Sequence, residues 1–445
     1  MQRLIWVLQL TMCIRSGKFL LGCLILILTA LISCSGNHED PVKIRFWHSF
    51  VASTHPVLEQ LIRRFEADHP GIRINAQYVP TGDALIQKLI TAIQSNTMPD
   101  IAWIHADFLY HLIETDAIYS INELDERYGI LDSATIADIY EELLNPVRYG
   151  DHLYALPMEA SVLALLYNKN LFKQAGLDPE KPPLDWSMLV EYTQKLTRDI
   201  DGDGRTDIYG FYVPVFPASG PLNIWMVLQW TPFLWQGGGD ILNGSKTGAA
   251  YHGSAGVKAL NLWKLLYDTM EFKNFAVAHD IGFISQKLAM ILDGPWNLPR
   301  YRDIANFDWA VAPLPHGPLN DFTYISGEYM VVFRLTDYPG ESFEFVSWII
   351  RPEIQADFAM HSGYLPIRKS VASLTVFREH LKKDLHYETF FNLIRHARAR
   401  IPAGKYGIRI NNHIAEAMEN AIVGGETAKS ALENAAAKSN QLLNQ

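Results

Sequence analysis

The sequence predicts an α/β fold in two domains, and three observations carry that expectation. Apolar patterns of strand and helix period succeed one another as β-α-β-α-β from Val42 to Ile104, the order of a parallel sheet covered by helices. The chain has 445 residues, more than a single hydrophobic core organises. The last third, from Ser342 onward, reads as mostly helical.

Each element has its own signal. Val42-Lys43-Ile44-Arg45-Phe46-Trp47 alternates as a strand does. The next helix carries Val57, Leu58, Leu61, Ile62 and Phe65 on one face. Thr54 is placed to cap it, Pro56 lies in its first turn, and His69-Pro70-Gly71 stops it. Ile72 to Val79 alternates again. Thr81-Gly82-Asp83 opens a second amphipathic helix through Leu85, Ile86, Leu89, Ile90 and Ile93, and Pro99 to Ile104 is the third strand. Tyr154 to Pro157 leads into a buried strand, Ser161 to Asn168. A helix from Trp186 to Arg198 and an Asp/Gly loop, 199–207, come next. The stretch Phe211 to Gly239 is aromatic with Pro and Gly interruptions, and 256–270 has helical spacing. Phe283 to Ile291 forms a helix-to-strand unit, Trp309 to Pro313 and Tyr329 to Phe333 are strands, and Ala415 to Leu443 forms one or two surface helices.

All three cysteines, Cys13, Cys23 and Cys34, precede residue 35. Arg15 and Lys18 flank the apolar run Phe19–Ile32, and no acidic residue occurs before Glu39. The run is shorter than the ~20 residues of a spanning helix. Leu31-Ile32-Ser33-Cys34 resembles the lipobox of a bacterial lipoprotein signal. That resemblance implies a signal peptide over 1–34 and a lipid on Cys34 as the membrane attachment. A cleaved soluble signal and a short anchor helix are the alternatives. Met12 offers a second start, and residues 35–41 read as a tether. The remaining chain has no thiol, which excludes disulfides, cysteine catalysis and Cys-ligated zinc. The first 34 residues hold three basic and no acidic residue, so the remainder, with 35 basic and 48 acidic residues, carries −13. With no basic run, nucleic acid is not an expected partner. The eleven Trp serve cores and, in an exported protein, also stack on the apolar faces of sugar rings.

The chain resembles the extracellular solute-binding proteins of ABC importers, in the group of maltose, oligosaccharide and glycerol-3-phosphate binders. The matching pieces are Phe46-Trp47-His48-Ser49, Phe65 to Gly71, Met98-Pro99-Asp100-Ile101, Leu166 to Phe172, Ala175 to Pro179, Gly294-Pro295-Trp296, Val311 to Pro315, Gly363 to Lys369 and Gly407 to Asn411. Their order along the chain carries the resemblance. It implies a two-lobed periplasmic-binding-protein fold, with hinge strands and a ligand cleft between the lobes. The first lobe is expected to take 42–158 plus 314–350, and the second 159–313 plus 351–445. Crossings are expected near Leu156–Ser161, Pro313 and Trp348–Pro352. The implied protein is an extracytoplasmic monomer that closes over a sugar or polyol and docks on a permease.

His48 and Ser49 follow the first strand, where a parallel sheet opens onto its crevice; a polar loop is the plainer reading. Asp83 caps a helix and, if the cap lines the cleft, meets ligand. By resemblance Asp107 stands where a sugar-binding Asp does, and a carboxylate accepts two hydroxyl hydrogen bonds. Strand alternation puts Glu159 and Ser161 on one face at the first crossing, with Glu159 either a ligand acid or a salt-bridge partner. Of Trp225, Trp230 and Trp235 most are core, and Trp225 is the cleft candidate. The resemblance makes Trp296 a ring-stacking residue, Gly327 a point of close backbone approach, and Tyr364 and Arg409 ligand holders. Arg409 suits phosphate or hydroxyls, with an interlobe ion pair as the alternative. Asp199, Asp201, Asp203 and Asp207 are spaced as in a calcium loop, against the alternative of a solvated Asp-Gly turn; no other cofactor is expected. Glycerol-3-phosphate or a glycerophosphodiester is the alternative solute, and a glycan hydrolase using Asp107 and Glu159 as its two carboxylates is the remote alternative function.

Overall fold

A computed structural model describes residues 40–80, 82–218, 220, 223–269 and 278–445. Cys34, the rest of the expected signal and most of the expected tether lie outside the described residues. Among the described helices none is long and apolar enough to cross a membrane. The strands in chain order are β1 (Val42–His48), β2 (Ile72–Tyr78), β3 (Ile101–Ile104), the small pair β4 (Arg148–Tyr149) and β5 (His152–Leu153), β6 (Leu156–Pro157), β7 (Ser161–Val162) and β8 (Ala164–Asn168). They continue as β9 (Met290–Asp293), β10 (Trp309–Ala312), β11 (Thr323–Ser326), β12 (Tyr329–Val332) and β13 (Ala397–Arg398).

The first lobe is built on the sheet β2-β1-β3-β12-β6. β1 runs parallel to β2 and β3, as the β-α-β-α-β pattern requires, and β12 returns antiparallel beside β3. The helices His55–Asp68 and Gly82–Ser95 supply the two crossovers. Leu58, Leu61, Ile62 and Phe65 bury one face of the former. Thr54 stands at its N-cap position with an already helical backbone (φ −85°, ψ −20°) and makes no side-chain cap bond; its hydroxyl is buried without a partner. The second lobe is built on β10-β8-β9, antiparallel throughout. Trp230, Trp235 and Trp263 fill its helical layer, fully buried.

A third sheet, β13-β11-β7, joins the lobes. The single strand expected over Ser161–Asn168 is therefore two. β7 pairs with β11, the chain turns at Leu163, and β8 pairs with β9 and β10. The first crossing runs through 157–163, beside the expected Leu156–Ser161. The second passes from β11 to β12, at 326–329, rather than at Pro313. Residues 314–322 stay with the second lobe: the His316 N–H donates to Leu184 O at 2.8 Å and the Leu319 N–H to Gln236 O at 3.1 Å. The helix Pro352–Ser362, expected in the second lobe, packs on His55–Asp68 of the first. There Asp357 pairs with Arg64 at 3.6 Å, and Phe358 meets Phe50 at 5.9 Å between centroids. The chain joins the second lobe later, where His386 stacks on Trp309 at 3.9 Å. These long-range pairings have no local sequence signal, which is why both boundaries moved.

The two crossing segments lie against each other. The Met158 N–H donates to Glu328 O at 2.8 Å, and the Glu328 N–H to Glu159 Oε1 at 3.0 Å. A Cβ at Gly327 would stand 2.5 Å from the Glu159 carbonyl oxygen, so only glycine permits this approach. Gly327→Ala should destabilise the protein by about 1–3 kcal/mol. Gly71→Ala, whose Cβ would meet nothing within 4 Å, should stay within about 0.5 kcal/mol of the parent. Thermal unfolding of the two variants checks this; equal melting temperatures would show that the crossing relaxes freely.

Candidate functional site in the interlobe cleft

A cavity of about 240 Å³ opens between the lobes and is lined by both of them and by the crossing strands. The first lobe contributes the residues just past its strand ends. These are Ser49 after β1, Trp103 and His105 at the end of β3, and Asp107 in the first turn of the helix Ala106–Glu114. This is the carboxyl edge of a parallel sheet, where such folds present their ligand groups. The crossing strands supply Ser161, Tyr324, Ser326, Gly327 and Glu328. The second-lobe side supplies Trp225 from the helix Asn223–Gln236, Trp296 from the turn after β9, and Arg400, while Tyr364 follows the first-lobe helix Pro352–Ser362.

Aromatic rings form one wall. Trp225 and Trp296 meet edge to face at 5.9 Å and 70°, and Trp296 leans on Tyr364 at 6.4 Å and 35°. Gly363, at φ +87°, makes the turn that delivers Tyr364, and a Cβ at Gly363 would stand 2.4 Å from the Pro295 carbonyl oxygen. Trp103 faces the cavity from the first lobe, its indole Nε1 buried without a hydrogen-bond partner.

The polar groups are rich in acceptors. Arg400 and Asp107 form an ion pair between the lobes, with only 7% and 13% of their side chains exposed. Burial works against the Arg400 charge, but Asp107 and Tyr324 outweigh it and hold its pKa above the ordinary value. Asp107 Oδ1 is buried and lacks a partner. Nδ1 of His105 stands 2.8 Å from Glu328 Oε2. Burial pushes the Glu328 carboxyl up, and the neighbouring His105 draws it part of the way back. Ser161 Oγ lies 3.2 Å from Ser326 Oγ.

Seven of the residues singled out from sequence thus meet at the cavity: Ser49, Asp107, Ser161, Trp225, Trp296, Gly327 and Tyr364. Three do not. His48 turns into the first lobe, 4% exposed, among Phe46, Phe50, His55 and Tyr78. Burial, and then the charge of His55, lower its pKa to about 4, so it is neutral. Glu159 lies behind the cavity wall, 1% exposed. Strand alternation failed for it because the chain bends between β6 and β7. Arg409 is exposed on the helix Gly407–Ile422, whose inward face carries Ile410, Asn411 and Ile414. The guanidinium in the cleft is Arg400, nine residues earlier. Asp83 lies in the first turn of the helix Gly82–Ser95, and its side chain is outside the described residues. Trp103, His105, Glu328 and Arg400 went unseen in the sequence. The first two carried a usable signal, since they close a buried strand at the same sheet edge as Ser49.

The Asp/Gly loop is a separate feature. Carboxylate oxygens of Asp199, Asp201 and Asp207 come within 4.8 Å of one another, and Asp203 is not of the group. Asp199 accepts the N–H of Gly202 at 2.7 Å and of Gly204 at 2.8 Å; the latter bond foremost holds its carboxyl below the usual range. None of these acids lines the cleft. Nor do Asp107 and Glu159 flank a common space: one is paired with Arg400, the other is sealed behind the wall.

Glu159 leads to a pH prediction. Burial, and then the charge of Glu328, raise its pKa well above 4.5, and its Oε2 has no partner. An acid with a raised folded pKa contributes stability below its ordinary pKa and loses it as pH rises through the folded value. Glu159→Gln removes that loss. Its melting temperature relative to the parent should therefore climb with pH, by about 2–4 °C between pH 4 and pH 8. Parallel melting curves across that range would show that Glu159 does not titrate.

Residues 60–389 match the family of bacterial extracellular solute-binding proteins. The chain is similar to the sn-glycerol-3-phosphate-binding periplasmic protein UgpB of Escherichia coli K12, 24% identical over 430 residues, covering 93% of this chain and 95% of that one. Among solved structures it resembles the cyclic α-maltosyl-1,6-maltose binding protein of Arthrobacter globiformis, with TM-score 0.76, 23% identity and coverage of 91% and 99%. It also resembles UgpB of Mycobacterium tuberculosis in complex with glycerophosphocholine, with TM-score 0.77, 21% identity and coverage of 91% and 98%. Two lobes, crossing strands and a lined cleft agree with the match over most of the chain: this protein belongs to the bacterial extracellular solute-binding proteins.

Proposed function

We propose that the protein is the capture component of an ABC importer and that its solute is a neutral sugar, a di- or oligosaccharide. The observation that carries this reading is the cleft's combination of aromatic faces with acceptor-rich polar groups. Trp225, Trp296, Tyr364 and Trp103 offer flat apolar surfaces to the C–H faces of a sugar ring. Asp107 Oδ1, Glu328 and the Ser161–Ser326 pair offer acceptors and hydroxyls to a diol, and the Trp103 N–H offers a donor. Arg400 is already matched by Asp107, so a phosphate dianion would compete for a neutralised cation beside further carboxyls. Carbohydrate binders are among the proteins that share this fold. Closure brings the first-lobe acids and the second-lobe rings onto one solute and presents the closed form to a permease.

A glycerophosphodiester is the second reading, favoured by the buried Arg400. A single negative charge and an apolar or cationic tail would suit a guanidinium beside an aromatic wall. In both readings the chain works outside the cytoplasm, held at a membrane by lipid on Cys34 and acting as a monomer. Calcium on the 199–207 loop would be a structural accessory.

A thermal-shift screen of chain lacking residues 1–34 separates the two readings. Di- and oligosaccharides should raise the melting temperature by mass action, while glycerol-3-phosphate and glycerophosphocholine should not; the reverse pattern sinks the sugar reading. Trp296→Ala should weaken binding of the responding sugar at least about tenfold, the loss of one ring-stacking contact. In cells, Cys34→Ser should move the protein from the membrane fraction to the soluble fraction, and continued membrane association would refute lipidation there.

A further inference from the structure

We infer that Asp293, a buried carboxylate outside the cleft, is the positioning residue that sets both indoles of the stacking wall. This rests on the reading of that wall as the sugar platform. Asp293 ends β9 and is fully buried, an expensive place for a charge that is not closely matched. Its surroundings match it. Oδ1 accepts the N–H of Gly294 at 2.8 Å. Oδ2 accepts the Asn297 Nδ2–H at 2.9 Å and the Tyr301 hydroxyl. His279 Nε2 stands 3.4 Å from Oδ1.

These partners are the parts that hold the two rings. Gly294 and Asn297 bracket the turn Pro295–Asn297, and Trp296 lies between them. The indole folds back over Gly294 so closely that a Cβ there would fall 1.8 Å from a ring carbon. The turn can therefore keep Trp296 in place only while both of its ends are fixed, and Asp293 fixes both. Tyr301, on the following helix Leu298–Ile304, ties that helix to the same carboxylate. On the other side, the His279 ring lies 5.9 Å from Trp225 at 34° and 5.9 Å from Tyr212 at 27°. Asp293 Oδ1 stands beside one of its nitrogens without a hydrogen bond, so the imidazole that backs Trp225 packs against the same carboxylate. The edge-to-face angle between Trp225 and Trp296 is then set by one centre, through hydrogen bonds on the Trp296 side and through packing of His279 on the Trp225 side.

Near-UV circular dichroism tests this without any solute, because two indoles 5.9 Å apart couple. Trp225→Phe and Trp296→Phe each identify the band that belongs to the pair. Asp293→Ala should lose most of that band with the far-UV spectrum retained. Asp293→Asn, which keeps an acceptor for the Gly294 N–H, should retain more of it. If Asp293→Ala does not fold, Asn297→Ala and Tyr301→Phe, each removing one bond to the carboxylate, should each reduce the band. A folded Asp293→Ala variant with the parent's band, or an unchanged band in both single-bond variants, overturns the inference. Failure of every sugar in the thermal-shift screen, with the band lost as expected, would overturn the solute reading alone.

Discussion

The hydrogen-bonded contact between the two crossing segments sets everything else in this molecule. Met158 to Glu328, and Glu328 back to the side chain of Glu159, hold the passages from lobe to lobe side by side, with Gly327 pressed against the carbonyl of Glu159. β7 and β11 continue the contact into the third sheet. These bonds fix the strand ends of the two lobes beside the seam. That is why Trp103 and Asp107 from one sheet edge and Trp296 and Arg400 from the other side line one cavity, although they are far apart in sequence.

The cleft sets its ionisable groups in pairs, each bridging chain segments distant in sequence. Arg400 meets Asp107, and His105 meets Glu328. A buried charge removed from its partner is costly, so such pairs favour one arrangement of the lobes over neighbouring ones. Glu159 fits the same logic: burial, and then the charge of Glu328, push its carboxyl well above the ordinary range.

Much of this was legible in the sequence, and the exceptions share a cause. The strands and helices of the first lobe follow from local periodicity, since a half-buried surface repeats every 2 or 3.6 residues. Trp296 was legible as an indole on a turn after a strand, and Gly327 only through the family resemblance. His48 failed because residues next to one another at a strand end point to opposite faces: Ser49 took the cleft and His48 took the core. Arg409 failed by helical phase, one residue short of the inward-facing Ile410. Arg400 could not be found locally at all. It lies just past a two-residue strand whose place is decided by β11, more than seventy residues earlier. The crossing at 326–329 and the lobe of the helix Pro352–Ser362 are likewise decided by partners distant in the chain.

The bond between Arg400 and Asp107 has a consequence for what the cleft can retain. A hydroxyl arriving at Asp107 finds one carboxylate oxygen unpartnered and the other engaged by the guanidinium. A molecule with a lone hydroxyl satisfies the first oxygen and gains little else. One with two adjacent hydroxyls can address the carboxylate and, as an acceptor, the guanidinium together. Under the proposed sugar reading, the ion pair would act as a filter on valency, favouring molecules that present hydroxyls in vicinal pairs over simple alcohols.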